Sequence, residues 1–189
     1  AQGSLFDETE PEFSAPAAGP DLPAATEHRI AEKNIHNVEH RYHLADTPET
    51  RAELLRVLLA AQAVCYDSET TALEAAQADL VGFSFSIKAH EAWYVPIPAE
   101  RTEAQKIVDE FRQIFENEHI EKIGQNLKYD IIVLKNYGVD VRGSLWDTML
   151  AHYLLEPELR HNMNYMAETY LQYATVKIEE LIGKKGKTQ

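Results

Sequence analysis

Three apolar runs crowd together in the middle of this chain and decide what it can fold into. They are Ala63-Val64-Cys65-Tyr66, Leu80-Val81-Gly82-Phe83-Ser84-Phe85-Ser86-Ile87 and Ala92-Trp93-Tyr94-Val95-Pro96-Ile97. Each is short for a buried helix, and the second alternates apolar with small polar residues, as a half-buried strand does. The turn at residues 88–91 is short enough to pair the second run with the third. Pro96 cannot donate to a ladder, so it belongs at a strand end or a sheet edge. Beyond residue 100 the pattern becomes helix and strand in alternation. Ile107, Val108, Phe111, Ile114 and Phe115 recur at helical spacing. Residues 122–125 predict a short strand, 127–137 a helix closed by Gly138, 144–148 a strand, 149–155 a helix stopped by Pro157, and 164–173 another helix. Upstream, Thr47 predicts an N-cap with Pro48 at the first helical position. A meander followed by strand–helix units predicts an α/β fold, a mixed sheet flanked by helices.

The first strand runs into Asp67-Ser68-Glu69. Side chains alternate along a strand, so Asp67 and Glu69 emerge on one face as the chain leaves the core. Two neighbouring carboxylates repel each other unless something positive lies between them, and a divalent cation held by oxygen ligands is the usual solution. A polar strand end that caps a turn is the competing reading, and the tripeptide alone favours it. Gly124-Gln125-Asn126-Leu127-Lys128-Tyr129-Asp130 carries the second signal. On a helix, Asn126, Tyr129 and Asp130 would share one face, beside an apolar seam of Leu127, Ile131 and Leu134. Either Asp130 holds a cation while Asn126 and Tyr129 meet a substrate, or the face is simply solvated.

At 189 residues, the chain has room for one domain with a real core plus a tail. Residues 1–35 read as a flexible acidic linker: Pro11, Pro16, Pro20 and Pro23 fall among Ala, Gly, Ser and acids. Residues 36–189 read as the folded domain. The formal net charge of −13 argues against a non-specific nucleic-acid coat protein. An acidic chain that processes nucleic acid must grip a few phosphates through metal ions and local donors. No basic n-region with an apolar h-region opens the chain and no apolar stretch would span a membrane, so neither a signal peptide nor a membrane partner is expected. The single cysteine makes no internal disulfide, and a cytoplasmic location is expected. Cys65 is expected in the core. His152 and His161 are expected to pack or to face solvent, since no His or Cys cluster suggests zinc. Asp147 is expected to cap a helix at Thr148-Met149.

Together these segments resemble a known family. Asp67-Ser68-Glu69-Thr70-Thr71-Ala72-Leu73 is similar to the first motif of the 3′–5′ proofreading exonuclease domain of bacterial DNA polymerase I. Residues 124–130 resemble its second motif nearly letter for letter. The similarity continues through Leu134-Lys135-Asn136-Tyr137-Gly138, Trp146-Asp147-Thr148-Met149-Leu150 and Arg160-His161-Asn162-Met163-Asn164 to Ile178-Glu179-Glu180-Leu181-Ile182-Gly183-Lys184, covering roughly residues 40–189. The resemblance implies a ribonuclease H-like fold, a mixed five-stranded sheet with one antiparallel strand and helices on both faces. It implies two divalent ions, Mg²⁺, Mn²⁺ or Zn²⁺. Asp67 would bridge both, Glu69 would bind one, and Asp130 would hold the second largely through water. It also implies a single-stranded or frayed DNA 3′ end as substrate. Leu73 would wedge against the terminal base, and Gln125, Asn126 and Tyr129 would contact the terminal nucleotides. Release of nucleoside 5′-monophosphates is expected, as are covalently linked 5′-nuclease and polymerase domains in a parent chain.

The family's third motif, Tyr-x-x-x-Asp, supplies a fourth carboxylate and a tyrosine that orients the attacking water. It does not occur downstream of Asp130: Tyr165 and Tyr170 are followed four residues on by Thr169 and Ala174. The domain is therefore expected to be truncated before that motif, and weak or inactive alone. Two other functions fit the same acids, a 3′–5′ exoribonuclease of this fold and a non-catalytic spacer domain in a polymerase. Retention of Asp67, Glu69 and Asp130 argues against the spacer. Without its motif, Leu73 would be expected in the core.

Overall fold

A computed structural model describes residues 31–176 together with Glu180. The acidic stretch through residue 30 and the basic run at 183–187 lie outside the described residues. In chain order the strands are β1 (Lys33–Asn34), β2 (Arg41–Leu44), β3 (Ala63–Thr70), β4 (Leu80–Lys88), β5 (Glu91–Pro96), β6 (Glu121–Gly124), β7 (Leu145–Asp147) and β8 (Tyr173–Ala174). The helices are α1 (Pro48–Leu59), α2 (Arg101–Phe115), α3 (Leu127–Asn136), α4 (Thr148–Leu155) and α5 (Met163–Met166), the last running on as a π-helical turn over Ala167–Leu171.

The main sheet has the order β2-β5-β4-β3-β6-β7. β4 runs against both neighbours, and every other pair is parallel. A mixed sheet is what the sequence predicts, and one antiparallel strand is what the resemblance implies. It has six strands rather than five, because Arg41–Leu44 adds to the free edge of β5. That strand is pinned by His43, whose ring stacks 5.1 Å from Trp93 and whose Nε2 meets Glu91 at 2.8 Å. Lys33 and Asn34, inside the expected linker, pair with Tyr173 and Ala174, so the ordered chain reaches further upstream than residue 36.

Local chemistry sets the helix starts. Thr47 and Thr50 form a reciprocal capping box ahead of Pro48. Glu100 accepts from the Thr102 and Glu103 N–H groups, which starts α2 at Arg101. Val64 and Tyr66 of β3 face α2, where Tyr66 meets Phe115 edge-on at 5.1 Å and Phe85 stacks on Phe111 at 5.3 Å. Leu54, Leu58, Phe83 and Val108 complete this buried layer. Each such side chain contributes about 2 kcal/mol through burial. Truncating fully buried Phe83 to Ala is expected to cost about 3–5 kcal/mol.

Lys122 is a buried cation on β6. Its Nζ donates to Asn117 O at 2.5 Å and Arg142 O at 2.6 Å, tying two loops together, and burial pushes its pKa down to about 8. Among the described residues no helix is long and apolar enough to cross a membrane.

Candidate active site

β3 pairs with β6 only as far as Cys65, opposite Ile123, and then runs on beside β4 alone. The sheet opens at the carboxyl end of its central strand, the usual position for ligand sites in α/β sheets. Asp67 and Glu69 emerge there, opposite Ser84 and Gly82 of β4. Between them, Ser68 points to the α2 side. Its N–H, beyond the last β6 partner, donates to Asp130 Oδ1 at 3.1 Å, and its hydroxyl donates to the same oxygen. Asp130 is buried on α3.

The turn from β6 into α3 explains the residue types of the second motif. A Cβ on Gly124 would lie 2.4 Å from Leu127 Cδ2 and 3.0 Å from the Tyr66 carbonyl oxygen, so only glycine fits. Asn126 follows in the left-handed region, at φ 63 and ψ 44, which asparagine tolerates better than most residues. It therefore stands at the N-cap, outside the helix, and does not share a helical face with Tyr129 and Asp130 as predicted. Asp147 holds this turn: its Oδ1 accepts from Asn126 N and its Oδ2 from Leu127 N, while Oδ1 also caps α4 through Met149 N and Leu150 N. The expected N-cap is present, and the second cap is an addition that the sequence did not reveal.

The predicted substrate-contact residues have varied surroundings. Leu73 is 97% exposed, which excludes a core role. Tyr129 donates to the Ala72 carbonyl and meets Thr70 Oγ1 at 2.6 Å, so it braces the segment that presents Leu73. Gln125 donates through Nε2 to His161 O at 2.7 Å and accepts from the Thr148 hydroxyl, tying the α4 start to the α5 approach. His152 is buried, with Nδ1 2.7 Å from His161 Nδ1 and Nε2 2.9 Å from the Tyr170 hydroxyl, the packing arrangement expected for it. Cys65 is exposed, contrary to expectation. Strand alternation puts it on the Asp67 face rather than the Tyr66 face, at the wall of a cavity of about 340 Å³ shared with Met163, Met166 and Tyr170. Apolar surroundings and the Asp67 charge push its thiol up, away from a reactive thiolate.

The carboxylates act on one another. Burial, then Asp130, then Glu69, push the pKa of Asp67 up to about 6. Burial also raises Asp130, against the lowering effect of Ser68. Hard carboxylate oxygens crowded about Asp67 fit a divalent cation such as Mg²⁺ or Mn²⁺. Among the described residues no three His, Cys, Asp or Glu side chains close on a single point. Asp67 and Glu69 stand at the open strand end, and Asp130 is held by Ser68 between them.

Comparison with known proteins agrees with this geometry. The 3′–5′ exonuclease family profile matches residues 42–189. DNA polymerase I of Pseudomonas aeruginosa is 36% identical over 142 residues, covering 70% of this chain and 16% of that protein. DNA polymerase I of Borreliella burgdorferi is 35% identical over 135 residues, covering 70% of this chain and 15% of that one. The chain therefore spans about a sixth of the length of these relatives. Among solved structures, Trypanosoma brucei RNase D superposes with TM-score 0.62 at 18% identity, covering 76% of this chain and 51% of that chain. Brucella melitensis NrnC with bound Mg²⁺ superposes with TM-score 0.58 at 20% identity, covering 80% and 70%. These likenesses establish the ribonuclease H-like fold, and the profile covers most of the chain: the chain belongs to the 3′–5′ exonuclease family, in the form found in DNA polymerase I.

Proposed function

We propose that this domain shortens DNA from the 3′ end by metal-assisted phosphodiester hydrolysis, as the proofreading part of a DNA polymerase I. The observation that carries the reading is the strand-end pair Asp67 and Glu69 with Asp130 held by Ser68 between them, a crowding of like charge on Asp67 that a cation would relieve. Asp67 and Glu69 would hold divalent ions, with Asp130 acting through water. When bound, a pair of such ions supplies the electrophilic help that hydrolysis of an anionic diester needs, activating water and stabilising the leaving oxygen. The remaining work falls to the chain. Ser68 fixes Asp130 through two hydrogen bonds to one oxygen, Oδ1. Tyr129 and Thr70 hold the turn from which Leu73 projects as an apolar wedge for the terminal base. Gln125 and Asn126 would line the approach of the last nucleotides. Such contacts discriminate bases weakly, so broad sequence tolerance is expected.

Relatives at 36% and 35% identity support DNA as substrate. The names of two solved neighbours, T. brucei RNase D in complex with RNA U12 and B. melitensis NrnC bound to pGG, support an exoribonuclease as the second reading. Covalent linkage to polymerase and 5′-nuclease domains and a cytoplasmic setting complete the proposal. The test is degradation of 3′-labelled single-stranded DNA and RNA in Mg²⁺ and in Mn²⁺. Loss of DNA nucleotides from the 3′ end, abolished by Asp67→Ala, is expected. Cleavage of RNA alone would favour the second reading. No cleavage combined with no Mn²⁺ binding would favour a spacer.

A further inference from the structure

The face of β3 that carries Asp67 and Glu69 continues across β4 onto β5. Asp67 lies opposite Ser84, and Ser84 opposite Tyr94. Glu69 lies opposite Gly82, and Gly82 opposite Pro96. Directly opposed residues share a face, so Tyr94 emerges on the same side as both carboxylates. Gly82 leaves a gap in that face, and Tyr94 fills it. A Cβ built on Gly82 would stand 2.2 Å from the Tyr94 hydroxyl oxygen and 2.4 Å from Cζ. The ring has therefore leaned out of the Asp67 row and into the Glu69 row, a diagonal reach open to aromatic side chains. Burial, then the Glu69 charge, pushes the Tyr94 phenol up, as such proximity requires. None of the motifs includes Tyr94, and its side chain has no part in the mixed aromatic core.

We propose that Tyr94 is a positioning residue for Glu69: seated in the Gly82 gap, its hydroxyl is placed to donate to the Glu69 carboxylate as that carboxylate turns to grip a cation beside Asp67. This rests on reading Asp67 and Glu69 as cation ligands. A carboxylate offers several lone pairs, so one accepted hydrogen bond leaves oxygen free for a metal while removing rotational freedom. The glycine at 82 follows from the same arrangement, because a side chain there would push the phenol out of the Glu69 row.

The test is Mn²⁺ binding to the metal-free chain by calorimetry, alongside the Glu69 side-chain carboxyl ¹³C resonance without metal. Tyr94→Phe deletes only the hydroxyl, and Gly82→Ala keeps the hydroxyl but displaces it. Each is expected to weaken Mn²⁺ binding about tenfold, the usual effect of losing a group that orients a ligand. Each is also expected to shift the Glu69 resonance. In a Glu69→Gln background, Tyr94→Phe should weaken Mn²⁺ no further, since groups that act through one another are not additive. Parent-like Mn²⁺ affinity and an unmoved Glu69 resonance in Tyr94→Phe would overturn the proposal. So would an undiminished further loss in the Glu69→Gln background. Asp67→Ala separates the two levels. If it abolishes Mn²⁺ binding while Tyr94→Phe does nothing, only the role of Tyr94 falls. If it binds as the parent does, the metal site itself falls, and the proposal with it.

Discussion

Asp147 and Asp67 are carboxylates on parallel strands of one sheet, yet their surroundings are opposite. Asp147 accepts from four backbone N–H groups, two at the start of α3 and two at the start of α4. Asp67 is acted on by burial and by two like charges, Asp130 and Glu69. A carboxylate saturated by backbone donors has completed its work in folding. One ringed by other carboxylates creates a demand that only a proton or a cation meets. The contrast locates function by what remains unsatisfied rather than by residue type.

The largest effects should separate the two aspartates. Asp67→Ala is expected to lower 3′-end trimming at least about 10³-fold, comparable to losing a key electrostatic group. It should abolish Mn²⁺ binding and leave the metal-free unfolding midpoint equal or higher, because a repelling charge is gone. Asp147→Ala should act the other way round. Losing caps on two helices is expected to cost about 2–4 kcal/mol in urea unfolding. Equal destabilisation by the two substitutions would break the comparison.

The acidity of Asp67 gives a smaller, signed effect. Its folded pKa, about 6, lies above the ordinary carboxylate value of 3.8, so the native state holds the proton more tightly than the unfolded chain. That contribution is fully present below about pH 4 and is lost as pH rises through about 6. Metal-free stability should therefore fall across this window by about 1–2 kcal/mol, after allowance for solvent screening. Asp67→Asn should flatten the slope. With Mn²⁺ present the trend should reverse, since binding requires the ionised carboxylate. A metal-free profile that rises through this window would sink the argument.

Which of these features the sequence reveals depends on how local their causes are. The Asp67/Glu69 pair is legible because strand alternation has a period of two and needs no partner. The same alternation places Cys65 on their face, and an apolar neighbourhood in the sequence concealed this. The Thr47-Pro48 start is legible because both capping partners lie within one turn. Asn126 is misplaced by helical periodicity, because a left-handed residue interrupts the chain where α3 begins. The second cap of Asp147 is invisible in sequence. Its donors lie some twenty residues upstream and meet it only through the Gly124–Asp147 register of β6 and β7. β2 is hidden for a similar reason: Arg41-Tyr42-His43-Leu44 has little apolar pattern, and the unpaired edge of β5 is what makes it a strand.

The comparison extends to two residues without charge. Leu73 is an apolar side chain almost wholly in water, so its position is unexplained by folding. Leu73→Ala should leave stability within about 0.5 kcal/mol. Loss of a base contact should slow trimming about tenfold. A stability loss without a rate change would return Leu73 to packing.

Tyr66 is the reverse case, a hydroxyl buried without a hydrogen-bond partner among the described residues. Burial, then Asp130 and Asp67, push its phenol up, so it stays protonated and has a donor to offer. An orphaned polar group of this kind is a stability cost that a cavity-neutral substitution removes. Tyr66→Phe is therefore expected to raise the unfolding free energy by about 1 kcal/mol and to leave Mn²⁺ affinity unchanged. The two readouts decide which side of the comparison Tyr66 belongs to. A gain in stability alone makes the hydroxyl a defect of the core beneath the site. A loss of Mn²⁺ affinity would mean that the hydroxyl serves Asp130 from below, and that the unsatisfied cluster extends through the sheet rather than stopping at its open face.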